Sequence, residues 1–180
     1  MPAKAIATEN SSGRVHSLHI KPRTYGERGI PKRQVAEANV EVSGLEGDFN
    51  VFRQAKKNGT ADRAVLIISR ETLEELASEG WPVSPGDLGE NITIERLDYK
   101  SLKVGDRLSI GAIEIEITEP CMPCVNLKVL PYIGESGAAK FIKTLLGRRG
   151  WYAKVTKPGI IKKGESVTYR GILRCAQDDT

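Results

Sequence analysis

The chain has 180 residues, 39% of them hydrophobic and 28% charged, with a net charge of +4, a balance that suits one soluble domain able to bury its own core. Three cysteines, an odd number, argue against a pure disulfide framework. No apolar run approaches the ~20 residues of a membrane span, and the opening MPAKAIATENSSGRVHSLHI lacks a secretory apolar core, so a cytoplasmic, reducing location is expected.

In chain order, RVHSLHI alternates loosely as a strand, and ANVEVSGLEGD sets Val40 and Val42 on one face before a glycine-rich loop. RAVLIIS, from Arg63 to Ser69, is a continuous β-branched run of the kind buried on both faces of a sheet. SRETLEELASEG predicts a helix with Ser69 as N-cap, Leu73, Leu76 and Ala77 on one side and Gly80 as the stop. ENITIERL alternates Ile92 and Ile94 as a further strand. Leu108 to Ile117 reads as a hairpin turning at Gly111-Ala112, a register that pairs Ile110 with Ile113 and leaves Arg107, Ser109, Glu114 and Glu116 on the other face.

GAAKFIKTLLG predicts a second helix, with Phe141, Ile142, Leu145 and Leu146 at helical spacing and Gly147 as the stop. GWYAKVTKPGIIKKGESVTY reads as strand, turn at Pro158-Gly159, and strand. No repeat or linker interrupts the chain, so residues 1–172 are expected to form one domain, with 173–180 a disordered tail that carries Cys175. Many strands with a few short helices give the fold class: mainly β, a β-rich α+β barrel-like domain.

Charge is unevenly placed. From Lys140 to Arg174 there are ten basic residues against Glu165 alone, whereas Ser69 to Glu119 holds twelve acidic against five basic. The basic last third suits an anionic partner such as a phosphate, a pterin phosphate or nucleic acid; the plainer reading is a solvated face. The aromatic and basic interleaving of single-strand binders is not seen, which argues against nucleic acid.

The chemistry-bearing stretch is EPCMPCVNL, with Cys121 and Cys124 at a strand exit, each after a proline. A structural zinc site needs four ligands, and the only histidines, His16 and His19, lack knuckle spacing. A redox dithiol requires a helix after the motif, and Pro131 and Gly134 leave room for only a short one. A single reactive thiol needs a nearby cation, because a free cysteine with a pKa of about 8.5 is mostly protonated at neutral pH; Arg148 or Arg149 can supply one if the fold closes. Two small buried hydrophobes are the fourth reading.

SGLEGD, ADRAVLIISRETLEEL, PGDLGENITIERL, LKVGDRLSIG-AIEIEITEPCMPC and GRRGWYAKVTKPGIIKKGESV occur in this order and together resemble a MOSC domain over about residues 43–167. The resemblance implies a closed MOSC-type β-barrel with short helices. It implies a hallmark cysteine in a Pro-Cys context after the long hairpin, best matched by Cys124, with Cys121 as the local alternative. In relatives this thiol is proposed to ligand the molybdenum of the molybdenum cofactor (molybdopterin) or to carry sulfur, and metal-bound relatives reduce N-hydroxylated substrates. The chain departs from the pattern at GDFNVFR, where many relatives have a histidine. A pyridoxal-phosphate desulfurase domain and an electron-supplying domain are also missing, so a separate cysteine desulfurase or electron-transfer protein is expected as partner.

The resemblance further assigns Glu90 and Asn91 to the pterin pocket, Arg63 to the ligand or to a pair with Asp48 or Asp62, and Arg148 and Arg149 to the pterin phosphate, for which guanidinium geometry is suited. Plainer readings stand beside these: Gly86, Gly89 and Asn91 building a tight turn, the arginines at a helix C-terminus, and Trp151 as core or rim. The expected function is molybdenum-cofactor binding through Cys124. A Cys124 persulfide carrier and a non-catalytic anion- or nucleic-acid-binding barrel are the alternatives.

Overall fold

The computed structural model describes residues 12–26, 28–49 and 61–171; Cys175 and the rest of the tail lie outside them. The strands are β1 (Ser12–Ile20), β2 (Arg33–Val35), β3 (Glu37–Glu41), β4 (Gly44–Leu45), β5 (Val65–Ser69), β6 (Ile92–Glu95), β7 (Arg107–Ile110), β8 (Ile113–Pro120), β9 (Trp151–Lys157), β10 (Gly159–Lys162) and β11 (Ser166–Tyr169). The α-helices among the described residues are α1 (Arg70–Ser78) and α2 (Gly134–Thr144).

The run β11-β7-β8-β9-β5-β6-β1 closes through a β1–β11 pair into a barrel, with β2 added beside β1. Neighbours are antiparallel except β5 and β6, whose parallel pairing requires a crossover; α1 provides it. The β7–β8 hairpin has the expected register, Ile110 opposite Ile113 and Leu108 opposite Ile115, with Gly111 at φ +51°. A one-residue slip would expose Ile113, Ile115 and Ile117, at about 1.5–3 kcal/mol each, and bury Glu114 and Glu116 instead.

β5 is buried along its whole length because it separates three apolar regions. Val65 and Ile67 face the barrel core, Ile68 faces the cluster built by α1, α2 and Leu88, and Leu66 packs with Cys121 and Tyr152. Ser69 caps α1, accepting from the Thr72 amide at 3.1 Å, and Gly80 follows the helix at φ +92°.

The structure departs from the sequence reading in four places. Val42 is 54% exposed: β3 ends at Glu41, and the buried pair is Ala38 and Val40. Thr72 rather than Ala77 joins Leu73 and Leu76 in the buried stripe of α1. Leu146 is exposed past the end of α2, whose buried residues are Ala138 and Phe141, with Leu145 buried at its C-cap. The last segment forms three strands, because Pro158 interrupts β9 and β10 leaves the barrel to pair with β3 in a small β10-β3-β4 sheet. No helix among the described residues is long and apolar enough to cross a membrane.

Candidate functional site

The two ends of the β8–β9 pair bring the site together. The ladder shifts register between Ile117 and Glu119, then sets Glu119 opposite Tyr152 and Pro120 opposite Trp151. Such irregularities re-aim side chains at the rim of a barrel. The Cys121 amide donates to the Gly150 carbonyl at 2.8 Å, fixing the exit of β8 on the entry of β9. Gly150 has φ +107°, and a Cβ there would lie 2.3 Å from the Ile67 carbonyl oxygen, so this junction requires glycine. Beyond Cys121 the chain runs without a turn to Cys124, which precedes a short 3-10 helix, Val125–Val129.

Cys124 lines a solvent-open cleft together with Arg28, Lys32, Phe49, Leu88, Asn126, Arg149 and Tyr152. Arg149 is buried in the wall of this cleft, as is Lys32. One terminal nitrogen of Arg149 donates to the Met122 carbonyl at 2.8 Å and lies 3.5 Å from the Cys124 sulfur; the other donates to the Leu88 carbonyl at 3.1 Å, while Nε is buried without a partner among the described residues. Burial works against its charge, but its pKa stays above that of a free guanidinium, so it remains a cation.

Cys121 points elsewhere. It is 2% exposed, and burial pushes its thiol pKa up despite the nearby Arg149 cation and a hydrogen bond from the Tyr152 hydroxyl. Burial likewise raises Tyr152, which keeps its proton and donates to Cys121. The Arg63 guanidinium stacks over the Tyr152 ring, 5.2 Å from its centroid, and grips Glu119 with two hydrogen bonds of 2.6 and 2.8 Å. Glu119 was not among the partners expected for Arg63; the register shift of β8 is what presents it.

Glu90 and Asn91 lie behind the cleft wall. Glu90 is fully buried, accepts from the Gly86 amide and from the Thr93 hydroxyl at 3.3 Å, and burial raises its carboxyl. Asn91 ties three segments: its side chain accepts from the Leu66 amide at 3.2 Å and donates to the His19 carbonyl at 3.3 Å and to Asp48 at 2.9 Å. Asp48 in turn pairs with Lys32 at 2.7 Å, with both side chains buried. The turn reading of Gly86 and Gly89 fits their φ values of +96° and +87°.

Arg148 and Arg149 diverge. Arg148 pairs with Glu79 through bonds of 2.8 and 2.9 Å and belongs to a separate hollow with Glu75, Tyr99, Lys100 and Trp151. The structure therefore brings Cys124 and Arg149 together, sets Arg63, Glu90 and Asn91 one layer back, and places Arg148 outside the cleft. Sequence reasoning missed Arg28, Lys32, Phe49, Asn126 and Tyr152 as cleft residues. Asn126, two residues after Cys124, had a signal in its position; the others come from distant segments without a local pattern.

A family model described as MOSC domain matches residues 54–168. The chain is 28% identical over 164 residues to an uncharacterized protein, YflK, of Bacillus subtilis, covering 85% of this chain and 71% of that one. It is 31% identical over 137 residues to protein YiiM of Escherichia coli, covering 72% and 58%, and 26% identical over 132 residues to a reductase of Gibberella moniliformis, covering 71% and 22%. The chain thus spans little more than half of YiiM and under a quarter of the reductase. Among solved structures, the YUAD protein of Bacillus subtilis is similar with a TM-score of 0.74 at 22% identity over 91% of this chain and 98% of that one. YiiM of Escherichia coli gives 0.63 at 24% over 91% and 72%. These two likenesses show the fold.

Proposed function

This chain belongs to the MOSC domain family, and on that premise we propose that its cleft binds molybdenum cofactor, with the Cys124 sulfur as a molybdenum ligand, in the service of reducing N-hydroxylated substrates. The observation that carries this reading is the placement of a half-buried cysteine sulfur 3.5 Å from a buried guanidinium on the wall of an open cleft.

The donor set fits such a group. Cys124 offers a soft sulfur, the ligand type a sulfur-rich, high-valent metal centre takes. Arg149, whose buried Nε has no partner among the described residues, and the cleft residue Arg28 offer cations for the anionic pterin phosphate, while Lys32 is held by Asp48. When bound, the group supplies the two-electron redox chemistry that removal of an N-bound oxygen needs. The chain's own residues orient and exclude: Arg149 is clamped by the Met122 and Leu88 carbonyls, and Tyr152 and Phe49 wall the cleft. Arg63, Glu90 and Asn91 act through the residues they hold. Arg148 lies outside the cleft, paired with Glu79.

The test is the molybdenum and pterin content of protein made in a cofactor-competent host. Wild type retains both and Cys124→Ala loses both; equal content in the two overturns the proposal. A second reading, Cys124 as a persulfide carrier, draws on the partial exposure of that thiol. It predicts an added sulfur on Cys124 after incubation with a cysteine desulfurase and cysteine, with no metal retained.

A further inference from the structure

Behind the cleft, four buried polar atoms lack partners among the described residues within one small region: Ser17 Oγ, both ring nitrogens of His19, and Glu90 Oε2. The three side chains are at most 1% exposed. Their proximity follows from the sheet and the loop. Ser17 sits opposite Thr93 in the β1–β6 ladder, and the Thr93 hydroxyl reaches Glu90 Oε1. Gly86 donates its amide to Glu90 and lies against the His19 ring, so closely that a Cβ there would be 3.1 Å from His19 Cδ2. The His19 amide donates to the Asn91 carbonyl.

Buried donors and acceptors are almost always paired with protein or with ordered water. A neutral imidazole brings one donor and one acceptor, a serine hydroxyl one donor and two acceptor sites, and Glu90 Oε2 an acceptor or a protonated donor. A ligand for this set must both donate and accept. A metal cation is disfavoured by the Lys32 charge, which acts on both His19 and Glu90, and an anion by the Glu90 carboxyl. Water meets the requirement.

We infer that Ser17, His19 and Glu90 enclose an internal water site, and that this hydrated cluster pins the Gly86–Glu90 loop whose Leu88 carbonyl holds Arg149 beside Cys124. Glu90 is then a positioning residue: it acts on the cleft through Gly86 and Leu88, without touching a ligand. The loop has little other latitude, since Gly86 accepts from the Lys32 amide at 2.9 Å and both glycines adopt left-handed conformations. The inference rests on the protein's own geometry and is independent of the cofactor proposal.

The experiment uses the full chain without cofactor. Water-proton relaxation dispersion and a high-resolution crystal structure report the internal water, and amide hydrogen exchange reports the loop. Wild type is expected to show a long-lived water bonded to His19 and Glu90 Oε2. Glu90→Gln, which keeps an acceptor for the Gly86 amide, retains that water and the loop protection. Glu90→Leu loses the water, and the Gly86 amide exchanges about tenfold faster, the factor expected for one lost buried hydrogen bond, while Ile115 in the barrel stays protected. Ser17→Ala, a milder change that keeps the fold, shortens the water's lifetime. A direct His19–Glu90 hydrogen bond with no water between them overturns the inference. So does an unchanged water lifetime in Ser17→Ala, or wild-type exchange at Gly86 in Glu90→Leu.

Discussion

Arg149 and Cys124 lie 25 residues apart in the chain and 3.5 Å apart in space, guanidinium nitrogen to sulfur. The contact is held from both sides. The Cys121–Gly150 hydrogen bond sets the two strand ends, and the Leu88 and Met122 carbonyls set the guanidinium. Adjacent Arg148 faces Glu79 instead.

Arg149→Ala is expected to destabilise the protein by about 1–3 kcal/mol in urea unfolding, because two carbonyls lose a buried donor. Arg148→Ala, which removes a solvent-screened pair, shifts the midpoint less, and the difference from wild type shrinks as salt is added. Equal effects of the two substitutions would contradict the placement of these side chains.

Alkylation separates the thiols. In native protein N-ethylmaleimide modifies Cys124, whereas Cys121, buried and held protonated by that burial, reacts only on unfolding. Peptide mass mapping after brief labelling reads the order. Preferential labelling of Cys121 would mean that the wrong cysteine has been assigned to the cleft.

Stability is expected to fall on acidification. Burial first, then the charges of Lys32 and His16, lowers the His19 pKa from 6.5 to about 4. Between these values the unfolded chain binds a proton that the folded chain does not, so stability is complete above about pH 6.5 and is lost as pH falls toward 4. The loss attributable to His19 is on the order of 3 kcal/mol. Urea midpoints from pH 7 to pH 4 measure it, and His19→Gln should flatten the slope in that window. An unchanged slope in the variant would remove His19 as the cause.

The glycines of the cleft wall differ in what they tolerate. A Cβ at Gly86 would stand 2.6 Å from the Lys32 carbonyl oxygen, a backbone atom, whereas at Gly89 it would meet the γ2 methyl of Ile30, a side-chain atom, at 2.8 Å. Both φ values are positive, so either alanine carries strain of about 1–3 kcal/mol. Gly86→Ala should cost more because its obstacle cannot rotate away. Comparable melting shifts for the two would show that the Lys32 segment yields.

What was legible in the sequence was what depends on neighbours in the chain. The β7–β8 register follows from alternating isoleucines around Gly111, the start of α1 from Ser69, and the burial of β5 from an unbroken apolar run. The family resemblance pointed to Cys124, with Cys121 as the alternative, and to Arg148 and Arg149 together; it did not say that Arg149 alone would lie beside Cys124. Long-range choices were not legible. Nothing local says that β10 leaves the barrel for β3, or that Arg63 meets Glu119 through a register shift. The divergence of Arg148 and Arg149 is set by Gly147 and Gly150, both with positive φ, which turn the chain sharply on either side of the pair. The Lys32–Asp48–Asn91 network joins three loops that only the closed barrel brings together.

The most direct test of the central claim is X-ray absorption at the molybdenum edge of cofactor-loaded protein, comparing wild type with Cys124→Ser and Cys121→Ser. The account predicts that Cys124→Ser loses a sulfur neighbour of the metal, or the metal itself, while Cys121→Ser keeps the wild-type sulfur shell. A sulfur shell unchanged in Cys124→Ser, or lost in Cys121→Ser alone, would contradict it.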